Sequence, residues 1–113
     1  MDLALTHQRL TFFGHTHIAS AFTVGDNRTT RWAPTYGTDG SASFQIKGNK
    51  FLINPGSVGQ PRDGDWRASF LIWDATAENI EFYRAEYAVK VTQEKMLRAG
   101  LPEFLYYRLA LGK

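Results

Sequence analysis

FFGHTHIA, residues 12–19, places two histidines two apart behind a glycine, directly after the apolar run LTFF at 10–13. The short apolar run closed by Gly14 predicts a buried strand. If His15 and His17 continue that strand, their side chains share one face and converge on one metal ion or bridge two. Gly14 leaves room for such a cluster and permits a backbone turn that other residues resist. The carboxyl end of a strand is also a common place for ligands in sheet-based enzymes. For an isolated H-x-H the plainer reading is two histidines hydrogen-bonded in a turn, because two ligands do not make a site. The rest of the chain has to decide between them.

Outward from that stretch the pattern is mostly short strands. Residues 21–24 read as a strand closed by the turn signal Gly25-Asp26-Asn27, and residues 29–33 as a half-exposed strand. Residues 34–43 form a loose Gly/Ser/Thr/Asp-rich loop. Residues 43–47 alternate, with Phe44 and Ile46 on one side, and Gly48-Asn49 predicts a hairpin turn into a strand at 50–54. Residues 54–65, NPGSVGQPRDGD, are too irregular for any element. Residues 68–75 and 79–85 predict a hairpin through Thr76, Ala77 and Glu78. Only the end looks helical: residues 92–99, stopped by Gly100, then a second helix opened by Pro102. There Leu101, Phe104, Leu105 and Leu109 make one apolar stripe that should dock on a sheet, helped by Tyr106 and Tyr107. Trp73 reads as core, and Trp32, Tyr36 and Trp66 as partly exposed loop residues. No internal repeat is present. The expected fold class is α+β, one β-rich, mostly antiparallel domain over residues 1–113 with two short C-terminal helices.

Bulk properties narrow the function classes. The chain has 113 residues, one domain's worth, and 43% hydrophobic residues allow a single packed core. Thirteen Lys and Arg against 11 Asp and Glu leave a formal charge of +2 with no basic run. A pI near 9.0 therefore argues little for nucleic acid, which needs clustered cations. With no cysteine, disulfides are excluded, and any transition metal must be held by His, Asp, Glu or Asn. No apolar stretch approaches the ~20 residues that span a bilayer. MDLALTHQRL, residues 1–10, lacks the n-region and h-region of a signal peptide, so a cytoplasmic protein without membrane contact is expected.

Gly14-His15-Thr16-His17 after a strand, followed by Asn54-Pro55-Gly56-Ser57 and Gly59-Gln60-Pro61-Arg62, resembles the calcineurin-like metallophosphoesterase family. The closest likeness is to its small bacterial and archaeal branch of phosphodiesterases and diadenosine tetraphosphatase-like proteins. The ending Ala99-Gly100-Leu101-Pro102, with Leu105 and Arg108-Leu109 beyond, is similar to that branch too. The likeness runs through most of residues 10–111 and is weakest across 25–45. It implies a four-layer αββα sandwich with two divalent metal ions between the sheets, commonly Mn, Fe, Zn, Ni or Mg. It implies that His15 binds the second metal and His17 the first. Such ions clamp phosphate oxygens and lower the pKa of a bridging water.

The same resemblance defines what is missing. The family's Asp-x-His, Gly-Asp-x-x-Asp, Gly-Asn-His-Asp/Glu and lone histidine ligand have no counterpart here. His7 lies too close to the G-H-T-H strand to be that lone ligand and reads as a loop residue. The expectation is the C-terminal portion of a metallophosphoesterase domain without its N-terminal metal motifs. Two divalent ions ~4 Å apart repel strongly unless anionic ligands intervene. This chain alone should therefore hold at most one ion, weakly, and should not be an efficient hydrolase. Its exposed strands invite a homo-oligomer or a complementary N-terminal half.

In NPGSVGQPR, the side chains of Asn54 and Ser57, the backbone N–H groups of Gly56 and Gly59, and the Arg62 fork suit a phosphate-ester substrate. The alternative is a rigid structural turn in which Asn54 pins the strand end. Asp63-Gly64-Asp65 lacks the further oxygen ligands of a calcium loop and reads as an exposed turn. Trp66 stands where the family commonly has proline. The expected function is metal-dependent phosphoester hydrolysis on phosphomonoesters, phosphodiesters or nucleotides, incomplete in this chain. The alternative is a non-catalytic, self-associating module with a vestigial metal site. A stacking surface for bases, built from Trp32, Tyr36, Trp66 and Trp73, is the third reading.

Overall fold

The computed structural model describes residues 9–25, 28–46, 48 and 50–113. His7, and the Asp26-Asn27 and Asn49 parts of the two expected turns, lie outside them. Among these described residues, seven strands, two helices and a 3-10 turn follow in order: β1 Leu10–Phe12, β2 Ser20–Gly25, β3 Arg28–Trp32, β4 Ser41–Gln45, β5 Lys50–Asn54, β6 Ala68–Asp74, β7 Asn79–Ala85, α1 Val89–Arg98, α2 Glu103–Tyr107 and the turn Arg108–Leu111.

The strands form two sheets, one ordered β1-β5-β2-β3 and the other β4-β7-β6. Only β1 and β5 run parallel, Leu10 opposite Phe51; every other pairing is antiparallel. The α+β, mostly antiparallel expectation holds. The expected hairpin between β4 and β5 does not form. Although Gly48 adopts φ +81°, the chain there leaves one sheet for the other. β4 pairs with β7 and β5 with β1 and β2. Alternation specified that both segments are strands, not which strand each would find.

The sheets pack face to face through the inward side chains of each strand. Ala21, Phe51 and Ile53 from the first meet Ala42, Ile80 and Phe82 from the second. Trp32 lies on Phe44 and Phe82, at 4.6 and 5.5 Å between ring centres, and Phe44 meets Phe51 edge-on at 5.3 Å. Ile53, Ile80 and Phe82 are fully buried, each stabilising the fold by roughly 1.5–3 kcal/mol through apolar burial. The expected tryptophan roles are thus reversed. Trp32 packs on the core, while Trp73 on edge strand β6 is 48% exposed and touches Phe12 of edge strand β1 at 6.0 Å. Trp66 sits against Tyr87, and Tyr36 under Arg84, so the four aromatics form no common stacking surface.

The β6–β7 hairpin closes as predicted. Asp74 Oδ1 accepts the Thr76 and Ala77 amides, and Glu78 takes φ +52°. α1 ends as expected, with Ala99 as C-cap, Gly100 at φ +79°, and Lys95 and Arg98 in the last turn where the helix dipole favours cations. α2 opens after Pro102, and Gln93 Nε2 donates to the Tyr106 carbonyl across the two helices. The expected sheet-docking stripe is only partly buried. Leu109 is buried, but Phe104 is 66% exposed, and Leu101 and Tyr107 face solvent. Leu101 lies before α2 and Leu109 in the 3-10 turn after it, so the four positions do not share one helical face. Gly112, at φ +66°, is wedged against Gly64 and Asp65, and its carbonyl accepts the Gly64 amide.

Candidate metal and phosphate site

β1 stops at Phe12, and the Phe13 amide makes one last bond to the Ile53 carbonyl. Gly14 to His17 are therefore loop, not strand, and period-2 alternation does not bring the two histidines together. Both instead take left-handed backbone, His15 at φ +78° and His17 at φ +61°. Such a backbone costs an L-residue roughly 1–2 kcal/mol, and histidine is among the side chains found there more often than most. Something must hold each in place.

The NPGSVGQPR loop does so from the other side. Asn54, fully buried at the end of β5, donates from Nδ2 to Thr16 Oγ1 at 2.8 Å and to the Gly14 carbonyl at 3.4 Å. Its Oδ1 accepts the Gly56 amide at 2.9 Å. Gln60 accepts His17 Nδ1 on its carbonyl at 2.8 Å, and the Arg62 amide donates to the His17 carbonyl at 3.0 Å. A carbonyl only accepts, so Nδ1 carries the proton. His17 Nε2 is then the basic nitrogen, in the tautomer that a metal-binding imidazole adopts when its other nitrogen is tied down.

The other expected site residues differ in what they present. Asn54 has both ends of its amide engaged within the chain, clasping the end of β5 to the loops on either side. Ser57 Oγ accepts the Gln60 amide, and its carbonyl accepts the Ser69 amide, so Ser57 shapes the loop. Arg62 is exposed, with Nη2 on Gln60 Oε1 at 3.1 Å. Gly56 adopts φ +86° and packs against Ser69, whose hydroxyl donates to the Pro55 carbonyl at 2.7 Å. This is where the loop, leaving the first sheet, meets the second.

Asp63 and Gly64 are exposed, as the composition suggested, but both aspartates are paired. Arg84 of β7, its side chain 1% exposed, pairs with Asp63, lies 3.6 Å from Asp65 and donates to the Arg67 carbonyl at 3.0 Å. Tyr36 covers the guanidinium at 5.2 Å. Arg67 also holds Asp65, at 2.8 Å, and its hydrogen bond keeps the Asp65 carboxyl below the ordinary carboxylate range against the opposing effect of burial. A signal for Arg84 was present: Ile80, Phe82 and Arg84 share the inward face of β7, and a charge on that face requires partners.

The donor set decides what the site can hold. The His17 imidazole, its tautomer fixed by Gln60, suits a borderline divalent ion. Among the described residues no group of three His, Cys, Asp or Glu side chains comes together. The oxygen ligands that keep two cations adjacent are not supplied by those residues.

No family profile matches the chain. It is 38% identical, over all 113 residues, to an uncharacterized protein of Methanocaldococcus jannaschii, of which it spans 43%. Its structure matches that of a metallophosphoesterase from Sphaerobacter thermophilus with a TM-score of 0.87 and 38% identity, covering 96% of this chain and 44% of that one. The chain thus spans less than half the length of both proteins it resembles. At that identity and overlap, its fold is that of a metallophosphoesterase half-domain.

Proposed function

We propose that this chain supplies the His15/His17 side of a dinuclear metal centre that hydrolyses phosphomonoesters, phosphodiesters or nucleotides. The single observation that carries the reading is His17, held by Gln60 with Nε2 free, in a fold 38% identical to a metallophosphoesterase. We assign it to the small phosphodiesterase, diadenosine tetraphosphatase-like branch on its GHTH and NPGSVGQPR motifs, and to the cytoplasm. No helix among the described residues is long and apolar enough to cross a membrane.

His15 and His17 would hold divalent Mn, Fe, Zn, Ni or Mg. Bound metal supplies a nucleophilic hydroxide at neutral pH and charge for the phosphate oxygens. The chain's own residues do the rest. Gln60 fixes the His17 ring, and Arg62, exposed on the same loop, gives a planar fork to a phosphate. Carboxylate ligands come from a complementary N-terminal half. Alone, the chain binds one ion and turns over no substrate.

The test is zinc titration by calorimetry beside a manganese assay with a chromogenic phosphodiester. One weakly held ion, lost in His17→Ala, and no turnover are expected. Metal-dependent turnover abolished by His17→Ala would overturn the need for a second half, and no zinc uptake would overturn the metal reading. The second reading, a self-associating module, is favoured by the apolar edge where β1 meets β6. Phe12, Val58 and Phe70 are exposed there around a shallow depression of about 420 Å³, and exposed Trp73 touches Phe12. Sedimentation of the purified chain separates the two: a monomer argues against the module.

A further inference from the structure

We infer that Asn54 is a positioning residue which, through Thr16, holds His15 and His17 in their metal-receiving backbone conformation. Its purpose, though not its geometry, rests on the phosphoesterase reading above. An asparagine at the end of a strand beside a phosphate-type loop suggests substrate contact. Its burial and bonding point elsewhere. Asn54 is fully buried, and its amide reaches back across the sheet edge rather than outward.

Four bonds converge on Gly14, Thr16 and His17. Thr16, between the histidines, is held by the Asn54 amide. The Gly14 carbonyl, just before them, accepts from the same nitrogen. His17 is held at its ring by Gln60 and at its carbonyl by the Arg62 amide. Within the loop itself, the Thr16 amide closes a tight turn onto the Gly14 carbonyl at 3.0 Å, and Thr16 Oγ1 accepts the Ile18 amide at 3.4 Å. Thr16 Oγ1 is therefore shared by the clasp and by the turn. Both histidines carry positive φ, and these bonds are what the chain itself supplies to hold it. Because the Asn54 Oδ1 also fixes Gly56, one side chain ties the histidine loop to the loop that carries Gln60 and Arg62.

Two variants test it. Asn54→Asp keeps the acceptor for Gly56 and loses the donor to Thr16 and Gly14. Thr16→Val, at an exposed position, removes the clasp's partner while leaving Asn54 and Gly56 in place, and so remains informative if Asn54→Asp does not fold. The readouts are the backbone φ of His15 and His17 from NMR couplings and NOEs, the His17 tautomer from ring nitrogen shifts, and zinc affinity by calorimetry. Expected are relaxed histidine φ values and zinc affinity lower by about 10–100-fold, the usual effect of removing an outer-shell partner, in proteins that keep the wild-type urea midpoint to within a small shift. Thr16→Ser, which restores the hydroxyl, should recover zinc affinity. Unchanged φ and unchanged zinc affinity in Thr16→Val would overturn the proposal, as would loss of affinity that Thr16→Ser fails to recover. A wild-type chain that takes up no zinc sinks the metal reading instead. The φ values of the two variants then decide the clasp by themselves.

Discussion

Gly56→Ala isolates the contact on which the loop's crossing between the sheets depends. Gly56 sits at φ +86°, and a Cβ there would lie 2.5 Å from Ser69 Oγ and 2.8 Å from Ser69 Cβ. Left-handed backbone with a Cβ costs roughly 1–2 kcal/mol. Forcing an extra methyl into packed surroundings costs about 1–3 kcal/mol more. Ser69 cannot swing away without releasing the Pro55 carbonyl. The expected destabilisation is therefore about 2–5 kcal/mol, and with a urea slope of about 2 kcal/mol/M the midpoint should fall by roughly 1–2.5 M. Gly100→Ala is the matched control: φ is +79°, but nothing lies within 4 Å of the added Cβ. It should show only the backbone part. Gly59→Ala, with open space and no positive φ, should change little. Urea unfolding followed by far-UV circular dichroism measures all three. If Gly56→Ala loses no more than Gly100→Ala, the Ser69 contact is not tight and the reasoning fails.

Three further outcomes follow from other parts of the fold. Arg84→Met should cost about 3–5 kcal/mol, because it leaves Asp63 and Asp65 facing an apolar side chain; thermal unfolding reads this, and adding Asp63→Asn should recover part of it. Arg67 depresses the Asp65 carboxyl, so the stability this gives is present above the ordinary value of 3.8 and is lost as pH falls below it. Asp65→Asn should accordingly narrow the gap between urea midpoints near pH 6 and about pH 3, and an unchanged gap would count against the pairing. Acrylamide should quench Trp73 readily and Trp32 poorly, so Trp73→Phe should remove most of the easily quenched fluorescence that Trp66 does not contribute.

What could be read from the sequence was whatever is decided locally. The β6–β7 hairpin, the Gly100 stop of α1 and the strand nature of residues 50–54 each depend on side chains within a few positions. The β4–β5 hairpin was not decided locally, because the competition between Phe44 pairing beside Ile53 or beside Ile80 is settled by the whole core, not by Gly48. The histidine loop was misread for a different reason. Nothing in G-H-T-H specifies positive φ at both histidines; that depends on Asn54, Gln60 and Arg62, which arrive from another strand end. Asp63 and Asp65 looked solvated because their partner, Arg84, lies beyond an intervening strand, though its place on the Ile80–Phe82 face of β7 was legible.

The order in which strands find partners bears on how the chain leaves the ribosome. β2 meets β3, and β6 meets β7, almost as soon as each pair is made. β4 cannot: Ser41 pairs with Tyr83, roughly forty residues later. At about 5–20 residues per second, β4 waits on the order of 2–8 s with its backbone unsatisfied. β1 waits for β5 over a similar span. During that interval the nascent chain carries open strand edges able to recruit a neighbour on the same message. Serine at positions 41 and 43, leaving only Ala42 and Phe44 apolar in the body of β4, keeps that waiting strand a poor template for its copies.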